Sequence, residues 1–453
     1  MRPRPGAIKR RYGVLLGNVA ARVASLISLF VATLLVARQG GPAVVGGYAL
    51  LRVLPSLLAM VVSAGLPGAI AFFLAGKHRS DPRLPSTIVA MVALGGAFGA
   101  GLWLAAAPWL GPLLFTDMPE SLVLLAAGCV ITRLLVVTAK SCSQGADDLP
   151  GSNRVIFLEE FMFLPAYGVL VAVGAHGYLI IVAGLQLADL GTSTFGWTRL
   201  VRRGFFHGAG RPSAALARRL AGYGMRAQVG GIITQLNLRL DFVILSVIAG
   251  PAVLGIFAIA SKFAELVKIL GMALSYVLYP RFTKDGPRDA VRRARRLLPK
   301  ALLLTFAAVA PLWLLAGMLI PAFYGSEFEP AVLPARIILL GLVLEGVGGV
   351  ITGFLYGVGR PGLNSWAMAV GLVGTVALDL LLIPSFEATG AAFASAVAYL
   401  AASLALVWFF RRAANDVGGT HDSGTGNWFQ RAYLRPGSLR ARDERGPVTE
   451  RPS

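Results

Sequence analysis

Ionisable side chains inside apolar stretches are the residues of this sequence best suited to chemistry. Each is costly in hydrocarbon, so it is expected to face a cavity, a partner or a transport pathway. The bases among them are Arg22, Arg52, Arg133, Arg226, Arg239, Lys262, Lys268 and Arg336. The acids are Glu159, Glu160, Asp189, Asp241, Glu265, Glu345 and Asp379.

The bases predict an anion site within the membrane. Arginine suits this task because its planar fork binds phosphate oxygens in pairs. Arg22 and Arg52 have no acid within helical reach in their own stretches, which favours a substrate-facing role. We therefore predict that an anion such as a phosphate or diphosphate is bound by Arg22, Arg52, Arg133, Lys262 and Arg239.

The acids leave two interpretations open. Asp189, Glu345 and Asp241 are candidates to carry a coupling proton or Na⁺. A carboxylate inside a membrane span is costly, and such residues commonly serve in proton relays and ion pathways. Alternatively, these acids neutralise bases, as Asp189 would by pairing with Arg133.

Self-neutralisation is also predicted within one helix. Glu265 lies three residues from both Lys262 and Lys268, a spacing that brings side chains together. Asp379 is expected near the end of its stretch, within reach of the lipid headgroups.

Enzyme and cofactor chemistry is not indicated. The histidines His78, His176, His207 and His421 are scattered, and the sequence has neither a nucleotide-binding loop nor a nucleophile elbow. Cys129 and Cys142 share one apolar stretch, a pattern that predicts neither a disulfide framework nor a metal cluster. We expect no catalytic residues, no metal site and no cofactor.

Composition places the chain in the membrane. Of its 453 residues, 56% are hydrophobic and 14% are charged, against about 25% charged in soluble domains. The net charge of +20 could suggest a nucleic-acid partner. The bases, however, cluster between apolar stretches, so we expect a polytopic all-α membrane protein that binds no nucleic acid.

Hydropathy predicts twelve transmembrane helices, since a span needs about 20 mostly apolar residues. Arg38 is the single base in the odd-numbered connections, whereas the even-numbered connections and the N-terminus are rich in Lys and Arg. This asymmetry predicts that both termini are cytoplasmic. The expected location is the cytoplasmic (inner) membrane. The predicted spans are residues 12–37, 44–75, 86–107, 120–144, 155–174, 178–201, 221–248, 253–280, 297–320, 331–357, 363–383 and 388–410.

An internal repeat divides the spans into two sets of six. Gly41-Pro-Ala-Val-Val-Gly46 recurs as Gly250-Pro-Ala-Val-Leu-Gly255, and Pro150-Gly-Ser-Asn153 recurs as Pro361-Gly-Leu-Asn364. Six is an even number, so two lobes of one orientation are expected. The predicted divisions are a basic cytoplasmic N-terminus 1–11, an N-lobe 12–203, a basic linker 204–220, a C-lobe 221–412 and a disordered cytoplasmic tail 413–453.

Several motifs resemble the polysaccharide and oligosaccharide flippases, the Wzx-type members of the multidrug/oligosaccharidyl-lipid/polysaccharide (MOP) exporter superfamily. They are Gln235-Leu-Asn-Leu-Arg-Leu-Asp241, the stretch from Gly250 to Lys262, Tyr279-Pro-Arg-Phe282 and Gly359-Arg-Pro-Gly-Leu-Asn364. The resemblance covers the predicted spans and leaves out the tail. The chain has fewer predicted spans than the lipid II flippase branch.

The resemblance implies two lobes around a hydrated cavity and alternating access. The implied substrate is a polyprenyl-diphosphate-linked oligosaccharide that moves from the inner to the outer leaflet for polysaccharide assembly. Arg22, Arg52 and Lys262 stand in helices that carry cationic cavity residues in relatives. Implied partners are membrane lipid, H⁺ or Na⁺, and other polysaccharide assembly proteins. A cation-coupled multidrug-type exporter and a membrane enzyme of glycan assembly are the alternatives.

Overall fold

The computed structural model describes residues 5–76 and 81–418, and these ranges are almost entirely helical. Helix is the expected form, because an apolar stretch in lipid must satisfy its backbone hydrogen bonds internally. The helices are α1 (Pro5–Val62), α2 (Leu66–Ala75), α3 (Arg83–Leu114), α4 (Glu120–Leu125), α5 (Ala127–Gly145), α6 (Leu149–Phe161), α7 (Phe163–Ala172), α8 (Tyr178–Arg202), α9 (Ala214–Lys284), α10 (Pro287–Tyr324), α11 (Val332–Gly341), α12 (Glu345–Gly357) and α13 (Pro361–Gly418).

Nine stretches of the described residues are long and apolar enough to cross a membrane. Three of them, of 43, 46 and 55 residues, are about twice the length of one crossing, and each contains one residue with non-helical backbone angles, namely Gly41, Gly250 or Glu387. A chain that turns at these three residues has room to cross twice in each long stretch. The predicted spans therefore fall mostly in helices, with interruptions such as residues 63–65 in the second span, and the count of twelve stays a prediction.

Three predicted divisions do not coincide with the ends of helices. Helix α1 begins at Pro5, inside the predicted N-terminus 1–11. Helix α9 begins at Ala214, inside the predicted linker, because the Ser213 side chain accepts a hydrogen bond from the Leu216 amide and caps the helix. Helix α13 continues to Gly418, past the predicted start of the tail at residue 413. The rest of the predicted tail, residues 419–453, lies outside the described residues.

The Gly-Pro repeat forms two matching kinks. Gly41 has φ 67° and ψ −172°, and Gly250 has φ 83° and ψ 173°. Only glycine adopts this backbone region readily, and the proline that follows each kink suits the first turn of a helix. The repeat predicted from the sequence thus has a counterpart in backbone conformation.

The same repeat joins the two halves of the protein, α1–α8 and α9–α13. A Cβ atom at Gly46 would overlap the carbonyl oxygen of Pro251, and one at Gly255 would overlap the carbonyl oxygen of Pro42. The contact is reciprocal: each half supplies one glycine and one proline carbonyl. The absence of side chains at both glycines lets the two helices approach backbone to backbone.

A second contact between the halves lies beside these kinks. The Arg38 guanidinium donates to the carbonyl oxygens of Ala322 and of Phe323, the latter at 2.6 Å, and so satisfies free carbonyls at the C-terminus of α10. The Phe30 ring meets the Phe323 ring edge to face, with centroids 5.5 Å apart. We call this end of the bundle the kink end and the opposite end, with its arginine-rich connections, the basic end.

At the basic end, a buried carboxylate holds two helices together. Asp148 is 1% exposed and accepts hydrogen bonds from the Gly151 amide and from Nε of Arg199 at 2.6 Å. Burial raises the pKa of Asp148, but the bonds from Arg199 and Gly151 outweigh it and hold the pKa below its usual value. The start of α6 is thereby fixed to the end of α8.

Candidate functional site

Six charged residues meet inside the first half of the protein and form what we call the first-half charge cluster. Helix α1 supplies one base, α5 supplies two bases, α6 supplies two adjacent acids and α8 supplies one acid. These residues are Arg52, Arg133, Lys140, Glu159, Glu160 and Asp189. Their formal charges cancel, so the cluster as a whole is neutral.

Arg52 is paired with an acid, contrary to the prediction from its own helix. Its Nη2 lies 2.7 Å from both carboxylate oxygens of Glu160, and its Nη1 lies 3.3 Å from the Tyr48 hydroxyl. The partner is on α6, 108 residues along the chain. Acids on the same helix are therefore not the only candidate partners of Arg52, because the packing of α6 against α1 supplies the counter-ion.

Arg133 connects two acids of the cluster. Its Nη2 lies 2.7 Å from Glu159, and its Nη1 lies 3.3 Å from Asp189. Lys140 holds the other oxygen of Glu159 at 2.8 Å. The predicted pairing of Asp189 with Arg133 is confirmed, and Asp189 already has a counter-ion.

A cavity opens beside this cluster. Its lining includes the charged groups of Arg52, Arg133, Glu159 and Asp189, and also apolar residues such as Phe163. Charged and apolar walls together suit a ligand that has an ionic headgroup and a hydrocarbon part.

The second half holds its bases differently. Arg239 lies 3.6 Å from Glu265, both on α9, and Nζ of Lys268 donates to the Tyr399 hydroxyl at 2.8 Å. Glu265 is therefore within ion-pair distance of Arg239, and it also interacts electrostatically with Lys268 and Lys262, the two bases that the spacing predicted.

Two predicted site residues, Arg22 and Lys262, take no part in these ion pairs. Among the residues that the structure describes, no carboxylate lies within ion-pair distance of Arg22 or Lys262. Nε of Arg22 donates to the Asn18 side chain at 3.1 Å. Lys262 interacts electrostatically first with Glu265 on its own helix, and also with Arg52, Arg239 and Glu160.

Glu345 and Asp241 lie in the second half. Glu345 begins α12, and its carboxylate packs so closely on Gly271 that a Cβ atom there would overlap it. Asp241 is 4% exposed and accepts a hydrogen bond from the Phe242 amide at 2.9 Å. Its other oxygen lies 3.5 Å from the Ser395 hydroxyl.

Asp379 is a further candidate that sequence reasoning placed wrongly. It was expected near headgroups, yet it is 0% exposed and interacts electrostatically with Asp241. Neither of its carboxylate oxygens has a hydrogen-bond partner among the described residues. An orphaned buried carboxylate is costly unless it binds a proton or a cation, so this pair is the better candidate for an ion site.

Lys140 was also missed by sequence reasoning. It lies within the predicted fourth span, and its interior position was the signal that could have singled it out. Its role becomes clear only from the packing of α5 on α6, which brings it to Glu159.

The helical bundle has the fold of the MOP superfamily, as two solved structures show. An inward-facing multidrug resistance MATE transporter of the MOP superfamily superimposes with a TM-score of 0.73 at 14% identity, over 90% of this chain and 99% of the other. The lipid II flippase MurJ, in an inward closed conformation, superimposes with a TM-score of 0.70 at 13% identity, over 93% and 95%. Within this fold, residues 35–333 match the family described as polysaccharide biosynthesis protein, and the chain belongs to that family.

Two curated relatives are archaeal membrane proteins. An uncharacterized membrane protein of Methanocaldococcus jannaschii is 23% identical over 205 residues, which is 44% of this chain and 40% of the relative. A probable low-salt glycan biosynthesis flippase, Agl15, of Haloferax volcanii is 22% identical over 193 residues, 42% of this chain and 41% of the relative. The chain thus aligns with less than half the length of these relatives.

Proposed function

We propose that the protein flips a polyprenyl-diphosphate-linked oligosaccharide from the cytoplasmic to the outer leaflet of the inner membrane, for polysaccharide assembly. The observation that carries this proposal is a pair of cations, Arg22 in the first half and Lys262 in the second, that lie outside ion-pair distance of every carboxylate in the described ranges. A diphosphate carries at least two negative charges, so it matches two such cations. Membership of the polysaccharide biosynthesis family and similarity to Agl15, a probable flippase, support the same substrate class.

The proposed movement is alternating access between the two halves. At the kink end the halves touch through Gly46, Gly255 and Arg38, and these contacts must separate if the site is to open there. The proposed movement does not use ATP. The two conformations need only differ in their affinity for the substrate.

Reconstituted vesicles test the proposed function. Purified protein should move a fluorescent polyprenyl-diphosphate glycan between leaflets, measured by its accessibility to an added glycosidase. The control is protein with Arg22→Gln and Lys262→Gln together, which we expect to flip at least tenfold more slowly, because two charge-assisted contacts are lost. Transport of a cationic dye without glycolipid flipping would instead support a multidrug-type exporter.

Orientation is a separate part of the proposal. Placing both termini and the basic end in the cytoplasm rests on the distribution of Lys and Arg. Thr116 and Gly286 are exposed and lie at the kink end and the basic end, respectively. A membrane-impermeant thiol reagent on intact cells should label Thr116→Cys but not Gly286→Cys, after Cys129 and Cys142 are replaced by Ala. The reverse labelling pattern would contradict the orientation.

We propose that Asp241 and Asp379 couple glycolipid flipping to an ion gradient. Glycolipid flipping in vesicles should then respond to an imposed H⁺ or Na⁺ gradient, and Asp379→Asn should remove the response because the neutral side chain needs no cation. Asp285→Asn is the matched control, since its carboxylate pairs with Arg293 outside the bundle interior. A wild-type rate that ignores both gradients would refute this assignment and would leave the flipping activity itself untouched.

A further inference from the structure

Helix α10 is longer than one membrane crossing requires, and the excess lies at the basic end. Its 38 residues extend about 57 Å at about 1.5 Å per residue, whereas the hydrocarbon core of a bilayer is about 30 Å thick. The first exposed leucines along the helix are Leu302 and Leu303, at 39% and 69% exposed, and they mark where lipid contact begins. We call the part before Pro299, residues 287–298, the basic extension.

The corresponding helix of the first half begins much closer to the membrane. Both helices carry a Leu-Pro pair near the basic end, Leu84-Pro85 in α3 and Leu298-Pro299 in α10. Helix α3 begins two residues before its proline (85 − 83), whereas α10 begins twelve residues before its own (299 − 287). The basic extension is therefore an addition to the second half that the internal repeat does not require.

One face of the basic extension is held by packing against the second half. Ala290 and Ala294 are both 0% exposed. They belong to one hydrophobic cluster with Phe282 of α9 and Phe410 of α13. Because residues three or four apart share one side of a helix, this packing turns the opposite face of the extension away from the protein.

The opposite face carries an excess of positive charge. Its exposed bases are Arg288, Arg292, Arg293, Arg295 and Arg296. Two acids lie beside them: Nε of Arg293 is 2.6 Å from Asp285, and Nη2 of Arg292 is 3.6 Å from Asp289. Five bases against two acids leave this face with a formal charge of +3 (5 − 2).

The excess charge surrounds an open depression in the surface. Within the described ranges, Arg295 and Arg296 lie outside ion-pair distance of every carboxylate. Together with Arg288, Val291 and Arg292, they line the depression. Phosphate groups fit such a surface, because a guanidinium donates hydrogen bonds to phosphate oxygens in pairs.

We propose that the basic extension binds the headgroups of anionic phospholipids in the leaflet at the basic end. Depth favours lipid over an acidic protein or a nucleic acid. Arg296 precedes Leu302 by six residues (302 − 296), about 9 Å along the helix, which is the level of the headgroups above the hydrocarbon. The phosphate then lies at the arginines and the acyl chains lie against Leu302 and Leu303. Clusters of bases next to a membrane-spanning helix are known to attract anionic lipid.

This proposal is independent of the transported substrate. It needs only that α10 crosses a membrane, and it holds for either orientation of the protein. Its consequence is that phospholipid headgroups tie the second half of the protein to one leaflet.

Lipid titrations on the purified full-length protein in detergent test the proposal. Native mass spectrometry counts the lipids that stay bound, with dioctanoyl phosphatidylglycerol as the probe and dioctanoyl phosphatidylcholine and inorganic phosphate as comparisons. We expect saturable binding of phosphatidylglycerol that is about tenfold or more tighter than binding of phosphatidylcholine. Inorganic phosphate at the same concentration should not displace the lipid.

A pair of matched double variants locates the site. Arg295→Gln with Arg296→Gln should weaken phosphatidylglycerol binding about tenfold, because two bases next to the headgroups are lost. Arg218→Gln with Arg219→Gln is the control, since it removes the same charge from two adjacent, exposed arginines near the start of α9. The control variant should bind the lipid as the wild type does.

Photolabelling of the wild type gives a second measurement that needs no variant. A photoactivatable phosphatidylglycerol in vesicles should label residues 287–306 more strongly than residues 214–222 at the start of α9. Label confined to other segments would overturn the proposal even if the double variant does not fold.

Three further results would also contradict the proposal. They are equal affinity of the wild type for the two phospholipids, an equal loss of binding in the two double variants, and displacement of the lipid by inorganic phosphate. The first two would indicate attraction to the general positive charge of the protein, and the third would identify a free anion as the ligand. Glycolipid flipping is measured separately, so the proposed function is unaffected by any of them.

Discussion

Replacing Arg52 by alanine is expected to abolish glycolipid flipping and also to destabilise the protein. The substrate loses a paired hydrogen-bond donor, and Glu160 is left buried without a counter-ion. Removing one partner of a buried ion pair costs about 3–5 kcal/mol. Flipping in vesicles and thermal unfolding in detergent measure the two effects separately.

The double variant Arg52→Gln with Glu160→Gln separates binding from folding. No charge remains unpaired in it, so unfolding should return to within about 1 kcal/mol of the wild type, whereas flipping should stay lost. Arg293→Ala is the control, because its pair with Asp285 lies at the basic end with the arginine 46% exposed, where such pairs contribute about 1 kcal/mol or less. Wild-type rates of flipping by the double variant would show that Arg52 does not bind the substrate.

Replacing Gly46 by leucine is expected to prevent the two halves from packing. The new Cβ atom would overlap the carbonyl oxygen of Pro251, a backbone atom that cannot move aside as a flexible side chain can. Overpacking at an adaptable site costs about 1–3 kcal/mol, and we expect more than about 3 kcal/mol here. Thermal unfolding should show the loss directly, and flipping should fall below detection.

Symmetry makes this prediction sharper. Gly255→Leu should have the same effect through Pro42, and the double variant should be little worse than either single variant, because both changes open one interface. Gly111→Leu in α3 is the matched control, since a Cβ atom there has no heavy atom within 4 Å. Wild-type stability of both Gly46→Leu and Gly255→Leu would show that the halves do not depend on this contact.

Much of the fold could be predicted from the sequence, because hydrophobicity and local backbone chemistry act over short distances. Apolar stretches predict the helices, since lipid cannot form hydrogen bonds with unpaired backbone N–H and C=O groups. The Gly-Pro repeat predicts the kinks at Gly41 and Gly250, because glycine adopts a positive φ more readily than other residues. The ends of helices were less predictable, as the start of α9 at Ala214 shows.

The site was less predictable, because its ion pairs join helices that are distant in sequence. Spacing could suggest Glu265 as a partner for Lys262, but only packing brings Glu160 to Arg52 or Glu159 to Lys140. The surroundings of Asp379 were also missed. Its position near the end of an apolar stretch suggested headgroups, whereas the rest of α13 returns after Glu387 and brings Ser395 to its neighbour Asp241.

The reciprocal glycine contact has a consequence for biogenesis. Gly46 and Gly255 are 209 residues apart (255 − 46), so the first kink is synthesised long before its partner. At about 5–20 residues per second, the ribosome needs roughly 10 to 40 seconds to reach the second kink. During that interval the surface of α1 around Gly46 lacks its partner helix, and in the bilayer it must be covered by lipid or by an insertion chaperone. Translation speed between the two repeats is therefore expected to influence how much of the newly made chain assembles correctly.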